Sequence, residues 1–432
     1  MAISLRYPMR SAILLKKPNR REAPMGDQKT TIEAGQVEEP QRVWNRKYVT
    51  LLIVNLLIML GNYMLRPIIS NYALELGATL SVAGVIAGVA FAVATVLRPV
   101  TGYLADRLNK KTSLLISMIA FVVASLGCAI SDSIVLVGIF CAMQGVSLSF
   151  QAIGVTALVT LCVPRSRIGT AMGWMSLNMT VSMAIGPGIT ASVAAWGGYQ
   201  ASFVLGAILC GIGLVILIFF KAPPGAEGSR IVEETDSSKS KLASIVSKAF
   251  HLPTVPMAVA AVLAIWAPSS ISMLLLTVEG TGYLSGAAWY FPVYAIAALG
   301  SRPLAGWLSD RSRSAMIAVP LLLLGTAGMI VPIFGRDVIA MVICGVLMGV
   351  GAASAASVIQ AESVRGVDVE HLGRATNTYY LGVDLGCALG AWAGGFLMQI
   401  GTPALMFGFD AFVFVAAAAV VAFAHARRKR AK

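Results

Sequence analysis

Charge is what this chain has least of. Asp, Glu, Lys and Arg make up 12% of its 432 residues, while hydrophobic residues make up 57%. That is about half the charged share of an ordinary soluble domain, so a water-solvated globule is excluded. Histidine is almost missing: His251, His371 and His425 are the three present, and they form no cluster with cysteine or carboxylate that supplies a metal-ligand set. The six cysteines, Cys128, Cys141, Cys162, Cys210, Cys344 and Cys387, show no C-x-x-C spacing and sit in or beside apolar runs, which makes them free, buried thiols. No lysine follows a glycine. A G-x-x-x-x-G-K phosphate loop is therefore absent, and direct ATP use with it. Neither a nucleophile–base pair nor a cofactor motif is visible, so an enzyme and a bound cofactor are both unexpected. Strict polar/apolar alternation is missing too, which removes a transmembrane β-barrel.

What remains is a series of long apolar runs. They lie near 48–73, 80–104, 112–131, 134–162, 168–195 and 201–220, then near 255–278, 285–308, 314–334, 338–361, 373–399 and 404–424. Each is close to the ~20 residues that cross about 30 Å of hydrocarbon as helix, and helices satisfy their backbone groups internally in lipid. Lysine and arginine fall on alternate connections: Arg107, Lys110 and Lys111, then Arg165 and Arg167, then the 221–250 linker, then Arg311 and Arg313, then Arg365 and Arg374. The other connections carry only Arg336. By the positive-inside rule both termini and the linker are expected in the cytoplasm of a plasma-membrane protein. The net charge of +13 is thus a topology signal, dispersed over short loops and unlike a nucleic-acid-binding patch. Residues 1–44 are polar, with only the short run Ala12-Ile13-Leu14-Leu15. They read as a disordered cytoplasmic tail and not as a signal peptide, with Met25 a second candidate start. The basic tail 425–432 closes the chain.

The chain repeats itself. Arg98-Pro99-Val100-Thr101-Gly102-Tyr103-Leu104-Ala105-Asp106-Arg107 returns as Arg302-Pro303-Leu304-Ala305-Gly306-Trp307-Leu308-Ser309-Asp310-Arg311, at an offset of 306 − 102 = 204. Ile168-Gly169-Thr170-Ala171 and Gly186 align with Leu372-Gly373-Arg374-Ala375 and Gly390 at the same offset. A period this long marks two related halves and not a solenoid. The expected fold class is an all-α membrane protein of twelve transmembrane helices in two pseudo-symmetric six-helix bundles, 45–220 and 251–424.

Two six-run halves, a polar central linker and Gly102-Tyr-Leu-Ala-Asp106-Arg107-Leu-Asn-Lys110-Lys111 between runs two and three resemble the major facilitator superfamily. Its loop motif is G-x-L-x-D-R-x-G-R-[RK]; Asn109 here stands where the family often has glycine. Gly306, Asp310 and Arg311 form the weaker partner. Gly173, Ser182, Gly186 and Pro187 resemble part of the antiporter signature G-x8-G-x3-G-P-x2-G-G of drug/proton exporters. Ser182, Thr190 and Ala191 depart from it. Cys141 stands where those exporters carry a fourth-helix arginine, so that arginine's role does not transfer. The resemblance implies a gating latch at this loop that stabilises the state open to the outside; charge, cytoplasmic placement and the repeat put Asp106 against the helix start near Gly373 and Asp310 against the one near Gly169, since a helix N-terminus favours a carboxylate.

Candidate transport residues follow from helical geometry. Gly382, Gly386, Gly390 and Gly394 recur every four residues, a stripe that lets a neighbouring helix come close. Asp384 is turned about 200° from Gly382 and shares its face with Asn377 and Tyr380. It lies about 18 Å along its run, near mid-bilayer, where a carboxylate is costly and a functional candidate; it is the expected proton carrier and the one carboxylate placed at that depth. Asn55, Asn62 and Arg66 fall near one face of the first run with Tyr63 beside them, making Arg66 a candidate partner of Asp384. Gln144, Ser147 and Gln151 share a face, as do Trp174, Asn178 and Ser182. Trp266, Ser270, Met273, Trp289, Tyr290 and Tyr294 could wall an amphipathic ligand. Glu75, Glu279 and Glu362 are expected at membrane edges. The expected substrate-binding set is Asn62, Arg66, Gln144, Gln151, Trp174, Asn178, Trp266 and Tyr380. The expected function is secondary active transport, as a proton-coupled exporter of a small amphipathic molecule acting as a monomer. A proton-coupled importer and a non-transporting receptor or scaffold are the alternatives.

Overall fold

The computed structural model describes residues 43–164, 167–224, 226–227, 250–311, 314–365, 367 and 372–430. Within them, the side chains at 102, 103, 105–107, 152, 153, 169, 170, 173, 176, 310, 311, 314, 315, 372, 373 and 427–430 are not described. The polar tail 1–42 and most of the linker, 228–249, thus lie outside the described residues.

Every described regular element is a helix. The first four are α1 (Arg46–Glu75), α2 (Leu80–Arg107), α3 (Lys110–Ala129) and α4 (Ile134–Cys162). A long helical run, Ile168–Phe219, is interrupted at Gly197 and Gly198. Gly198 has φ +73, a left-handed conformation that a side chain disfavours, and it divides the run into α5 (168–196) and α6 (199–219). After a short turn come α7 (Val255–Gly280), α8 (Ala287–Arg311) and α9 (Ser314–Phe334). The next helix, α10, is built from Val338–Val350 and Ala352–Val364 on either side of Gly351, and α11 (Leu372–Ile400) and α12 (Pro403–Arg430) complete the set. Ten helices among the described residues are long and apolar enough to cross a membrane. One of them contains the Gly197–Gly198 break and α8 adds a further helix of bilayer length, so the set is compatible with twelve crossings.

Local chemistry explains the helix starts. Asn45 accepts from Tyr48 N at 2.9 Å while its amide donates to Cys162 O at 2.7 Å, capping α1 and tying it to the end of α4. Asp337 caps α10 by accepting from Ala340 N at 2.9 Å. Such caps contribute about 1 kcal/mol each. Prolines inside the helices, Pro67, Pro99, Pro187 and Pro268 among them, are tolerated in membranes because neighbouring groups satisfy the freed carbonyls.

The repeat in sequence is a repeat in packing. Gly145 on α4 approaches α2 so closely that a Cβ would collide with Ala90 O and Val93. Gly349 on α10 approaches α8 in the same way, a Cβ there falling 2.5 Å from Tyr294 O and 2.7 Å from Ala297 Cβ. Adding 204 to 145, 90 and 93 gives 349, 294 and 297. Helix α11 sits between two partners. Its stripe of Gly382, Gly386 and Gly390 lies on the backbone of α7 at Ala258, Val262 and Trp266, while Gly395 lies on Leu80 and Gly84 of α2. The contact with α2 is extended by Ser81 N donating to Gln399 Oε1 at 2.8 Å and Trp392 Nε1 donating to Val85 O at 3.0 Å. Near the same end, Ser70 of α1 donates to Met273 O of α7 at 2.8 Å and meets Thr277 Oγ1 at 2.8 Å. Helices from the first and second repeats are thus stitched together where α1 and α7 end and α2 begins.

Candidate functional site

Below that stitched end the α2–α11 seam changes character. Its glycines give way to long polar side chains: Arg98 Nε on α2 meets Asp384 Oδ2 on α11 at 2.5 Å, with both side chains almost wholly buried. Tyr380, one turn before Asp384, lies under the Arg98 guanidinium at 5.2 Å and accepts from Gln360 Nε2 at 3.1 Å. Asp384 faces away from the α7 stripe, as its position relative to Gly382 requires. Its ion-pair partner differs from the expected one. Arg66 on α1 is within electrostatic reach of Asp384, but its guanidinium rests over the rings of Tyr63, at 4.1 Å, and Phe91, at 4.9 Å. Two arginines from two helices therefore attend one carboxylate.

A third arginine lies in the same polar group. Arg302 on α8 is the repeat counterpart of Arg98, lies against Tyr294 and is within electrostatic reach of Tyr379. Tyr379 packs edge-on against Tyr380 at 5.5 Å, and Tyr294 is within electrostatic reach of Tyr63. Ring contacts, the ion pair and electrostatic reach link one set of groups on α1, α2, α8 and α11: Arg66, Tyr63, Tyr294, Arg302, Tyr379, Tyr380, Arg98 and Asp384. Position 180, the repeat counterpart of Asp384, is Thr180, so the second arginine of the repeated pair has no matching carboxylate.

The remaining expected site residues scatter. Asn62 is buried and donates to Ile58 O of its own helix at 3.0 Å. Asn178 donates to Leu52 O at 2.8 Å and cross-links α5 to α1. Gln144 and Gln151 are buried with their Nε2 atoms unpaired. Trp174 is 43% exposed and stacks on Trp44 at 5.1 Å, at the α1 start and away from that set of groups. The expected aromatic wall divides in three: Tyr290 and Tyr294 are buried together on α8, Trp289 is 58% exposed, and Trp266 lies with Phe409 at 6.0 Å. Gly186 packs on the Tyr63–Met64 backbone, with Pro187 following it inside α5. Gly306 faces open space. Asp106, Arg107, Asp310 and Arg311, with Gly102, Gly169, Gly173 and Gly373, fall within helices, but their side-chain surroundings are not among those described, and neither therefore is the latch. Glu279 accepts from Gly286 N at 2.7 Å and caps α8, and Glu362 lies 3.6 Å from Arg365.

Two polar groups escaped the sequence reading. Arg98 was visible only as the first residue of the repeated run. Asp410 on α12 is a second membrane carboxylate, fully buried beside Trp266 and Ser270 of α7, with no hydrogen bond of ordinary length to either. Asp384 is therefore not the one buried carboxylate within a span. No group of three or more His, Cys, Asp or Glu among the described residues is placed to hold a metal ion.

Against known proteins, the model of the Major Facilitator Superfamily matches residues 51–336 and 284–432. The chain belongs to that superfamily, whose members are transporters and not enzymes. Among relatives, the Quinolone resistance protein NorA of Staphylococcus aureus (strain MRSA252) is 30% identical over 176 residues, 40% of this chain and 45% of that protein. The Uncharacterized transporter YebQ of Escherichia coli (strain K12) is 28% identical over 128 residues, 30% of this chain and 28% of that protein. The matched stretches span less than half of either relative. In fold, the chain is similar to a crystal structure of a peptide transporter POT in complex with alafosfalin, at TM-score 0.73 and 15% identity over 90% of this chain and 96% of that one. It is similar also to a POT family transporter in complex with a thioalcohol-conjugated peptide, at TM-score 0.74 and 14% identity over 89% and 98%.

Proposed function

We propose that the chain is a proton-coupled secondary exporter of a small amphipathic molecule, in which two six-helix halves, 45–220 and 251–424, rock about the chamber between α1, α2, α8 and α11. The linker 221–250 and both termini face the cytoplasm of the plasma membrane, and the working unit is a monomer. The observation that carries this reading is the buried Arg98–Asp384 pair, because its two members belong to different halves. While Asp384 is charged, the pair is a strut across the seam. A proton on Asp384 removes the attraction and leaves Arg98 to seek another partner. Breaking a buried pair by removing one charge costs about 3–5 kcal/mol, and about 5.5 kcal/mol moves a two-state equilibrium from 1:99 to 99:1. One proton at this seam is of the right size to shift the halves. Gly186–Pro187 and the likeness to a quinolone resistance protein support export over import.

The test is proton movement in proteoliposomes carrying an imposed pH gradient. Wild type takes up or releases protons when substrate is added, whereas Asp384→Asn, which keeps the shape and removes the charge, does not. Equal proton movement in both overturns the coupling role. Substrate flux that needs an inward-directed gradient of both solutes identifies an importer instead.

A further inference from the structure

We infer that the chamber receives an anionic solute, with its carboxylate, sulfonate or phosphonate group held between Arg66 and Arg302. This inference rests on the transport reading for the site's purpose, and on the charge balance of the linked set of groups for its chemistry. Among the described residues of the set there are three guanidinium groups, Arg66, Arg98 and Arg302, and one carboxylate, Asp384. Arg98 is neutralised directly by Asp384. Neither Arg66 nor Arg302 has a carboxylate within ion-pair distance among the described residues. The chamber therefore holds an excess of two positive charges when Asp384 is ionised, and of three when it is not.

Aromatic faces hold these cations without cancelling them. Arg66 lies over the rings of Tyr63 and Phe91, a contact that stabilises a desolvated guanidinium by about 2 kcal/mol and leaves its charge intact. A ring contact of this kind leaves the guanidinium its in-plane N–H donors, which suit a planar, bidentate acceptor. Arg302 lies against Tyr294, and its Nε is a buried donor with no partner. A buried unpaired donor is expensive, and polar groups inside a membrane bundle mark the path of a solute or ion. Tyr63, beneath Arg66, and Tyr294, against Arg302, lie within electrostatic reach of each other, so one cation stands on α1 and the other on α8, on either side of the boundary between the repeats. Tyr379 and Tyr380 add phenol rings for the apolar remainder of the ligand. The second carboxylate, Asp410, does not redress the balance, since it lies with Trp266 and Ser270 on the α7–α12 side. A cationic amphipath entering this chamber meets net repulsion, whereas an anion completes two unfilled contacts.

The experiment measures equilibrium binding to the purified full chain in lipid nanodiscs, using three probes of one size: naphthalene-2-carboxylate, 2-naphthylmethanol and 2-naphthylmethylammonium. The carboxylate is expected to bind at least tenfold more tightly than the alcohol, and the ammonium weakest. Arg66→Gln and Arg302→Gln should each lower affinity for the carboxylate at least tenfold while changing the alcohol less than threefold. Arg302→Lys, which keeps charge and insertion, should retain the order of the three probes. A preference for the ammonium, equal binding of all three, no binding of the carboxylate, or an order unaltered by both Gln variants overturns the inference. Flux of the same probes in proteoliposomes separates the two readings. An anion that binds but is not carried leaves the binding site standing and sinks transport; pH-driven flux of the ammonium with the carboxylate ignored does the reverse.

Discussion

Asp384 and Asp410 are both buried carboxylates within membrane spans, yet their surroundings differ in kind. Asp384 is 5% exposed and paired with an arginine on α2, a helix of the other repeat. Asp410 is 0% exposed, lies on α12 against α7 of its own repeat, and has Trp266 and Ser270 beside it but, among the described residues, no ion-pair partner. Burial alone would rank Asp410 first. What separates them is where the partner stands. A charge whose counter-ion rides on the opposite half changes energy when the halves move, whereas one surrounded by its own half moves with its surroundings. Depth in the membrane marks a residue as costly; under the proposed mechanism, a partner across the seam between the halves is what makes it a coupling group.

The largest expected effect tests that distinction directly. Asp384→Asn and Arg98→Gln should each reduce pH-driven transport to background, about 100-fold or more, consistent with the ~3–5 kcal/mol attached to breaking a buried pair. The double variant should be no worse than either single one, because once one partner is gone the other no longer has a pair to lose. Additive losses, or an active Arg98→Gln, would dissolve the contrast with Asp410.

The two faces of α11 give the second test. Its α7 face is a packed, same-half contact, where a Cβ on Gly386 would fall 2.5 Å from Val262 O. Backbone cannot swing aside as a side-chain tip does, so Gly386→Ala should destabilise the fold by about 1–3 kcal/mol. The readout is a lower temperature for loss of the monodisperse chromatographic peak. Proton coupling per molecule still folded should persist, since the substitution leaves the Arg98–Asp384 seam alone. Loss of coupling at undiminished stability would show that the α7 face moves as well.

How these contrasts could be read in sequence depends on what periodicity reports. Spacing within one helix gives a face, so the Gly382 stripe and the opposite setting of Asp384 were legible, and the offset of 204 anticipated the matched contacts at Gly145 and Gly349. Which helix lies opposite a face is fixed by packing over long separations. Asp384 and Arg98 are 286 residues apart, and no local spacing joins them; Arg66, with its polar neighbours, looked the better partner. Asp410 sits in a run of Phe, Ala and Val with no polar residue at helical spacing to mark its face, because Trp266 and Ser270 come from another helix.

Asp410→Asn should therefore have a small effect, with transport within about threefold of wild type and proton movement retained. The amide replaces a carboxyl that forms no ion pair among the described residues, so no cation is left unpaired by the change. A loss of proton movement as complete as that of Asp384→Asn would put the coupled proton on the α7–α12 side and reverse the ranking of the two carboxylates.

The smallest effect is expected at Trp174, a residue whose helical face suggests substrate contact but whose ring lies elsewhere. It stacks edge-on against Trp44 at 5.1 Å and is 43% exposed, which places it at the start of α1, remote from both carboxylates. An aromatic pair of this kind contributes about 0.5–1.5 kcal/mol beyond its buried area. Trp174→Ala should lower thermal stability by no more than about that amount, because partial exposure reduces what the ring buries. Substrate affinity and proton movement should be unchanged, since neither Arg98, Asp384 nor Asp410 touches the ring. A tenfold or greater loss of affinity at normal stability would bring the α5 face into the binding chamber, and the comparison would then have to include a third site on the amino-terminal side of the seam.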